Sequence, residues 1–138
     1  MMMYNPCKII AEIGCNHKGD MEIAKELIKV AKIFCNVDAV KFQKRNNKEL
    51  LTEEQYQAPH PNPVNSYGAT YGAHREFLEF SKAQHAELKA YCEKVEIEFL
   101  STPFDLESAK FLNDMMEAFK ISSSDITNKP FIEFMQIF

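Results

Sequence analysis

The chain has 138 residues, of which 46% are hydrophobic and 26% are charged, and its formal net charge at pH 7 is −4. This length fits one domain, and the apolar fraction is too high for an intrinsically disordered chain. The mild acidity, without a stripe of Lys and Arg, argues against a nucleic-acid partner. No apolar run approaches the ~20 residues that a membrane span needs, and residues 1–6 lack the features of a signal peptide.

The four cysteines are widely separated, at Cys7, Cys15, Cys35 and Cys92. They form no CxxC pair and no Cys/His spacing of the kind that binds zinc. Free thiols in a reducing compartment account for this pattern best, and we therefore expect a cytoplasmic protein.

The first third of the chain predicts a strand, a helix and a second strand. Residues 7–13 form a short apolar run with β-branched residues, which is typical of a strand. Asp20 is a plausible N-cap, and apolar residues then recur at helical spacing over 21–33. Residues 39–43 predict the second strand.

Helical periodicity resumes only after a long segment without it. Residues 45–72 are rich in Pro, Gly and Asn, which predicts an irregular loop of a length that is usually functional or disordered. A helix is predicted over 74–80. Ser81 and Gln84 then have the spacing of a capping box, which predicts a further helix to about Lys94.

The remainder of the chain continues the alternation of strands and helices. We predict strands over 98–101 and 118–122, a helix capped by Asp105 over 106–115, and a last helix beginning at Asn128. Alternating strands and helices imply parallel strands with right-handed connections, as in a doubly wound α/β sheet or part of a (β/α)8 barrel. A Rossmann-type fold lacks its main support, because no GxGxxG follows the first strand.

Polar side chains lie late in the predicted strands, where buried parallel strands are normally apolar. They are Glu12, Lys41, Gln43, Ser101, Thr102, Lys120 and Ser122. Any one of these charges could lie on a solvated face, but the pattern occurs in several strands. The carboxyl ends of parallel strands form the ligand site of such folds. Two lysines with hydroxyl groups suit a phosphorylated or carboxylated ligand, and Glu12 suits proton transfer.

Other candidate residues carry weaker signals. His17 follows the first strand, where a lone histidine more often has a structural role than a ligand-binding one. His60, His74 and His85 show no spacing typical of metal ligands. Residues 122–125 could offer hydroxyl and N–H groups to a phosphate, or they could form an ordinary turn.

Four motifs together resemble the sialic acid synthase (N-acetylneuraminate synthase) family. They are AEIGCNHKGD ending at Asp20, DAVKFQ ending at Gln43, FLSTPFD ending at Asp105 and FKISSSD ending at Asp125. The resemblance implies a TIM barrel that condenses phosphoenolpyruvate with an N-acetylated aminosugar such as N-acetylmannosamine. The products would be a nine-carbon 2-keto acid and phosphate, and several aminosugars remain candidate substrates.

The resemblance also implies roles for individual residues. Glu12 matches the catalytic glutamate of the family, and Lys41 and Lys120 match lysines that contact phosphoenolpyruvate. Thr102 and Ser123 match residues that line the same pocket. Gln43, on the strand face of Lys41, is added as a substrate-binding candidate. A divalent metal, Mn²⁺ or Mg²⁺, is expected for the complete enzyme, with its histidine ligands in later strands and none in this chain.

The sequence also departs from the family pattern. A complete barrel needs ~250 residues, so we expect residues 1–138 to be its first half, about four β/α units, without the later units and the C-terminal antifreeze-like domain. Glycines usual in the family are missing within 33–37, at Glu96 and near Met115. Two alternatives therefore remain: a non-catalytic module that binds a phosphate or sugar phosphate, and an inactive remnant. A half-barrel exposes strand edges, so we expect homo-oligomers.

Overall fold

A parallel three-stranded sheet organises the part of the chain that the computed structural model describes, residues 7–138. Residues 1–6, where no signal peptide is expected, lie outside it. The strands are β1 (Ile10–Gly14), β2 (Ala39–Lys44) and β3 (Glu98–Pro103), in the order β1-β2-β3. Glu12 lies opposite Lys41, and Gln43 lies opposite Thr102. The parallel α/β class and the first three strands are thus confirmed, with shifts of up to three residues at their ends.

Seven α-helices lie between and after the strands. They are α1 (Met21–Ile33), α2 (Asn47–Leu50), α3 (Glu53–Gln57), α4 (Tyr71–Leu78), α5 (Lys82–Lys94), α6 (Leu106–Asn113) and α7 (Lys129–Met135). Asp20 caps α1, Ser81 and Gln84 form both halves of the capping box of α5, Asp105 caps α6, and Asn128 caps α7. Each predicted cap is confirmed. None of the helices within residues 7–138 has both the length and the apolar character that crossing a membrane requires.

The two faces of the sheet differ in chemistry. Val40, Phe42 and Phe99 lie on the face that packs in the main core, together with Ile28 of α1 and Leu88 of α5. Because strand side chains alternate and paired residues share a face, Glu12, Lys41, Gln43 and Thr102 lie together on the opposite face. The fold therefore gathers these polar side chains of three strands on one surface.

The predicted irregular loop over residues 45–72 is wrong in part. It contains α2, α3, a 3₁₀ turn at Pro63–Asn65 and the start of α4. Thr52 and Gln55 form a capping box that begins α3. Helices of four or five residues show too little periodicity to stand out in a sequence, and their stability comes from tertiary contacts.

The predicted fourth strand over residues 118–122 is not formed, so the structure has one strand fewer than expected. The Ser101 N–H of β3 donates to Met116 Sδ at 2.8 Å instead of to a strand. Phe119 and Ile121 pack against a second apolar cluster of α6 and α7, formed by Ala109, Phe131 and Met135. The alternating apolar residues that suggested a strand are thus partly buried against helices, without strand pairing. The helix before this segment also ends at Asn113 rather than near residue 115.

Left-handed backbone occurs at two of the positions where the family's glycines are missing. Asn36 has φ 48° and Glu96 has φ 56°. At both positions the backbone thus has the left-handed conformation that glycine adopts without strain, but the residue there has a side chain, which makes this conformation less favourable. Replacing Glu96 by Gly should raise the free energy of unfolding by about 1 kcal/mol, after the entropy of the more flexible unfolded chain is subtracted.

Chemical denaturation of the Glu96→Gly variant measures this gain. Asn36→Gly is the matched control, because Asn tolerates left-handed backbone and should gain less. An equal gain at both positions, or a loss at position 96, would contradict the strain at Glu96.

The outer edges of the sheet are not paired with a further strand in the described part of the chain, since β1 and β3 each pair on one side with β2. Large apolar side chains are also exposed, among them Ile9, Ile10, Phe34, Ile137 and Phe138. Open edges and apolar patches favour association between chains. We therefore expect the 138-residue chain to form oligomers in sedimentation experiments. A monodisperse monomer that unfolds cooperatively would be evidence against this expectation.

Candidate active site

Lys41 lies at the centre of the polar face of the sheet. Its ammonium group is 2.6 Å from Glu12 Oε2 and donates to Thr102 Oγ1 at 2.8 Å. The side chain of Lys41 is 8% exposed, whereas that of Glu12 is 52% exposed. A buried ammonium needs partners, and the two neighbouring strands supply them. The structure thus brings three predicted site residues into direct contact, and it leaves the carboxylate accessible from solvent.

Gly14 lies directly beside the group formed by Lys41, Glu12 and Thr102. The pairing of β1 with β2 shifts between Glu12 and Gly14, where the backbone takes a φ of +55°. A Cβ at Gly14 would lie 3.2 Å from Glu12 Oε1 and 3.5 Å from Gln43 Nε2. The carboxylate and the amide therefore flank the same point above Gly14, so Gln43 joins the predicted group. Glycine is required here both by the backbone conformation and by the close approach.

The last two predicted site residues do not join this group. Lys120 is exposed in the segment between α6 and the 3₁₀ turn at Ser123–Asp125, and within residues 7–138 it makes no hydrogen bond or ion pair. Ser123 is exposed as well. Ser122 is buried, where its hydroxyl accepts from the Ser124 N–H and is 2.7 Å from Ser124 Oγ. The turn interpretation of this serine run is the one that the structure displays, and the ligand roles of Lys120 and Ser123 stay predictions.

His17 has a structural position in the loop after β1. The residue is 3% exposed, and its ring stacks on Phe80 with the centroids 4.1 Å apart. Nδ1 accepts from the Gly19 N–H at 3.1 Å. Burial lowers the pKa of His17 to about 4, although a hydrogen bond to the Gly14 backbone opposes the shift. The imidazole is therefore neutral at pH 7, and it fixes the loop that follows Glu12.

Unfolding should become more favourable as the pH falls from about 6.5 towards 4. Burial also lowers the pKa of His85 to about 4. Both groups are neutral in the folded protein in this range, whereas the unfolded chain binds a proton at each. The stabilisation from these two histidines is thus complete above their unfolded pKa and declines below it. Together they contribute an uptake of about two protons on unfolding near pH 5.

The pH dependence of the unfolding free energy between pH 4 and 8 measures this uptake. In the His17→Gln variant, the proton uptake calculated from the slope of unfolding free energy against pH should be smaller by about one. A slope unchanged by this replacement would mean that His17 titrates normally in the folded protein.

Sequence reasoning missed a second charged cluster at the end of β2. Glu79, whose side chain is 9% exposed, accepts from Lys44 Nζ and from the Arg45 backbone N–H, both at 3.1 Å. Arg45 also stacks on Phe104, 3.9 Å above the ring centroid. Burial raises the pKa of Glu79, and Lys44 opposes that shift. Two consecutive basic residues directly after the predicted strand 39–43, and an acid directly before Phe80, were the signals available in the sequence.

The described residues do not assemble a metal site. Within residues 7–138, no three His, Cys, Asp or Glu side chains come together in a cluster that could hold a metal ion. Glu12 contributes a carboxylate to the polar face, but it is engaged by Lys41. The donor set of this part of the chain therefore does not fit a divalent metal, and no chemical step is assigned to one here.

The chain is similar to known proteins of one family over most of its length. Residues 27–137 match the NeuB family. The chain is 40% identical over 130 residues to N-acetylneuraminate-9-phosphate synthase of Homo sapiens, covering 94% of this chain and 36% of that enzyme. It is 39% identical over 126 residues to N,N'-diacetyllegionaminic acid synthase of Campylobacter jejuni, covering 91% of this chain and 37% of that enzyme. The chain thus spans about a third of the length of these relatives.

A solved structure gives the same result. The crystal structure of N-acetylneuraminic acid synthetase from Leptospira borgpetersenii, in complex with citrate, superposes with a TM-score of 0.74 at 32% identity. The match covers 94% of this chain and 41% of that structure. The resemblance inferred from the four motifs is confirmed at the level of the family, and the fold matches part of the chain of these enzymes. On the family match and these relatives, the chain belongs to the NeuB family, the sialic acid synthase family.

Proposed function

We propose that the complete protein containing this chain condenses phosphoenolpyruvate with an N-acetylated aminosugar, giving a nine-carbon 2-keto acid and phosphate. The observation that carries the proposal is the contact of Lys41 with both Glu12 and Thr102 on the polar face of the sheet. The motifs that contain Lys41 and Thr102 lie within residues 27–137, which match the NeuB family. The chain is similar over more than nine tenths of its length to N-acetylneuraminate-9-phosphate synthase and N,N'-diacetyllegionaminic acid synthase.

Lys41 is suited to the anionic substrate. Its ammonium group is held in a buried position, so its charge is screened less by solvent than that of a surface lysine. The Thr102 hydroxyl, which accepts from Lys41, fixes the direction of the ammonium group. Together they would bind phosphate or carboxylate oxygens by charge-assisted hydrogen bonds. In our proposal Lys120 and Ser123 complete this pocket when the rest of the protein is present.

Glu12 is suited to move a proton at the reacting carbon of the sugar. In the proposed reaction, C3 of phosphoenolpyruvate forms a bond to the aldehyde carbon, and the aldehyde oxygen takes up a proton. Water adds at C2 and loses one proton, and the C2 hydroxyl then loses the second proton as the C=O bond forms and phosphate leaves with the C–O electron pair. The half-exposed carboxylate can exchange these protons, and the neighbouring ammonium group of Lys41 offsets the charge that develops.

Phosphate release tests the proposal directly. The full-length protein is incubated with phosphoenolpyruvate and, in separate reactions, N-acetylmannosamine, its 6-phosphate or a diacetamido sugar, with and without Mn²⁺. We expect release that depends on one of the aminosugars, with a 2-keto acid formed in equal amount. The metal arm is included because the family resemblance implies a divalent metal. Absence of release with every sugar in both metal conditions would reject the proposed activity.

A further inference from the structure

A chain of side-chain contacts connects the charged cluster at the end of β2 to Gln43 in the polar face. Arg45 Nη1 donates to Cys15 Sγ at 3.8 Å, and the Cys15 thiol donates to Gln43 Oε1 at 3.6 Å. Arg45 itself is held by Phe104 on one side and by the buried Glu79, 3.9 Å from its Nη1. The contacts thus run from Glu79, directly after α4, through Arg45, directly after β2, to Gln43 in the polar face.

We infer that Cys15 is a positioning residue that sets the direction of the Gln43 side-chain amide. The carbonyl oxygen of an amide accepts hydrogen bonds, whereas its nitrogen donates two. With Oε1 bound by the thiol, Nε2 faces the space above Gly14 beside the Glu12 carboxylate. Gln43 therefore presents a donor to this space, and an amide in the opposite orientation would present an acceptor. The identity of the ligand in this inference rests on the proposed function, whereas the contacts of Cys15 do not depend on it.

The local chemistry supports a thiol rather than a thiolate in this role. Burial raises the pKa of Cys15, while Arg45 lowers it and Glu79 raises it, with a smaller lowering by Arg75. A protonated thiol can donate to Gln43, whereas a thiolate could not. The donor that Gln43 then offers suits an oxygen of a carboxylate, a phosphate or a sugar carbonyl. Cys15 and Arg45 would thus make the polar face selective for oxygen acceptors.

The orientation can be observed by NMR on protein labelled with ¹⁵N-glutamine. The chain has five glutamines, at Gln43, Gln55, Gln57, Gln84 and Gln136. In the Cys15→Ala variant we expect the side-chain amide signals of Gln43 to shift, and Cys15→Ser, which keeps a donor, to restore at least half of that shift. Gln55 and Gln84 accept at their helix caps and serve as internal controls. Gln43 signals that are identical in the parent and both variants would overturn the role of Cys15.

The contribution of Arg45 is measured through the thiol itself. The rate of iodoacetamide alkylation is followed against pH for each cysteine by peptide mapping, which separates a change in pKa from a change in access. Arg45→Met should raise the measured pKa of Cys15, because the nearby positive charge and hydrogen bond that lower it are lost. Lys48→Met, which removes an exposed lysine elsewhere, should leave it unchanged. An equal effect of the two variants would exclude the link through Arg45.

Titration with phosphoenolpyruvate distinguishes failure of this inference from failure of the proposed function. We expect the ligand to move the Gln43 amide signals in the parent and Cys15→Ser, with affinity reduced about three- to tenfold in Cys15→Ala. If phosphoenolpyruvate moves no Gln43 signal but Cys15→Ala does, the positioning role stands and the proposed ligand is wrong. If the ligand binds the parent and Cys15→Ala equally, the positioning role is wrong.

Discussion

Replacing Glu12 by Gln in the complete protein is expected to lower turnover by ~10²–10⁴-fold, the range typical of a general acid–base group. Gln keeps the shape and hydrogen bonding of Glu but cannot exchange a proton. The carboxylate lies 2.6 Å from Lys41 Nζ and is half-exposed, so a substrate can reach it. Measurement of kcat together with phosphoenolpyruvate affinity separates the effects, since folding and affinity should be largely kept.

A purely structural role of the Glu12–Lys41 ion pair gives the opposite result. It predicts a loss of stability with nearly normal turnover, because Lys41 is left without its charged partner. Since Glu12 is half-exposed, we expect that loss to be ~1–2 kcal/mol, below the ~3–5 kcal/mol of a fully buried pair. Glu98→Gln is the matched control, because Glu98 lies on the same sheet face at the opposite end of the strands. Normal turnover in a destabilised Glu12→Gln variant would reject the catalytic role.

Replacing Lys41 by Met in the complete protein should weaken phosphoenolpyruvate binding about ten- to a hundredfold. Charge-assisted hydrogen bonds contribute ~1.5–3 kcal/mol each, and Met keeps the bulk of the stem while it removes the charge. Binding of the aminosugar should change less, because the proposed contact is with the anion. Isothermal titration with each substrate separately measures both affinities.

Controls for Lys41→Met use lysines in different surroundings. Lys129→Met removes an exposed lysine, with a side chain that is 83% exposed, and should leave the affinity unchanged. Lys120→Met tests the predicted second cation, which in the described residues is exposed and without an ion pair. Unchanged phosphoenolpyruvate affinity in both Lys41→Met and Lys120→Met would contradict the assignment of the anion site to these residues.

Much of the secondary structure was predictable because its signals are local. Asp20, Ser81, Asp105 and Asn128 each mark a helix start that the structure confirms. A cap is a contact between residues two or three positions apart, so the sequence contains all of its partners. The three strands were likewise marked by short apolar runs between turn residues.

The polar face was predictable in part, for a related reason. Lys41 and Gln43 share a face because side chains alternate along a strand, which sequence spacing alone determines. Glu12 and Thr102 meet them only because of the register of β1 and β3 against β2. The late position of polar residues in several strands suggested this meeting, since parallel strands end at the same edge.

By itself the sequence determined the starts of α1, α5, α6 and α7, the three strands, the parallel α/β class and, through its motifs, the NeuB family. Only the tertiary structure decided whether residues 118–122 form a strand or pack against α6 and α7, since their apolar residues fit both equally well. Only the tertiary structure joined Glu79 to Arg45 and Arg45 to Cys15, across 34 and 30 positions. Such contacts depend on which elements pack together. Packing is driven by the burial of apolar surface, which is non-directional, so spacing along the sequence does not predict its partners.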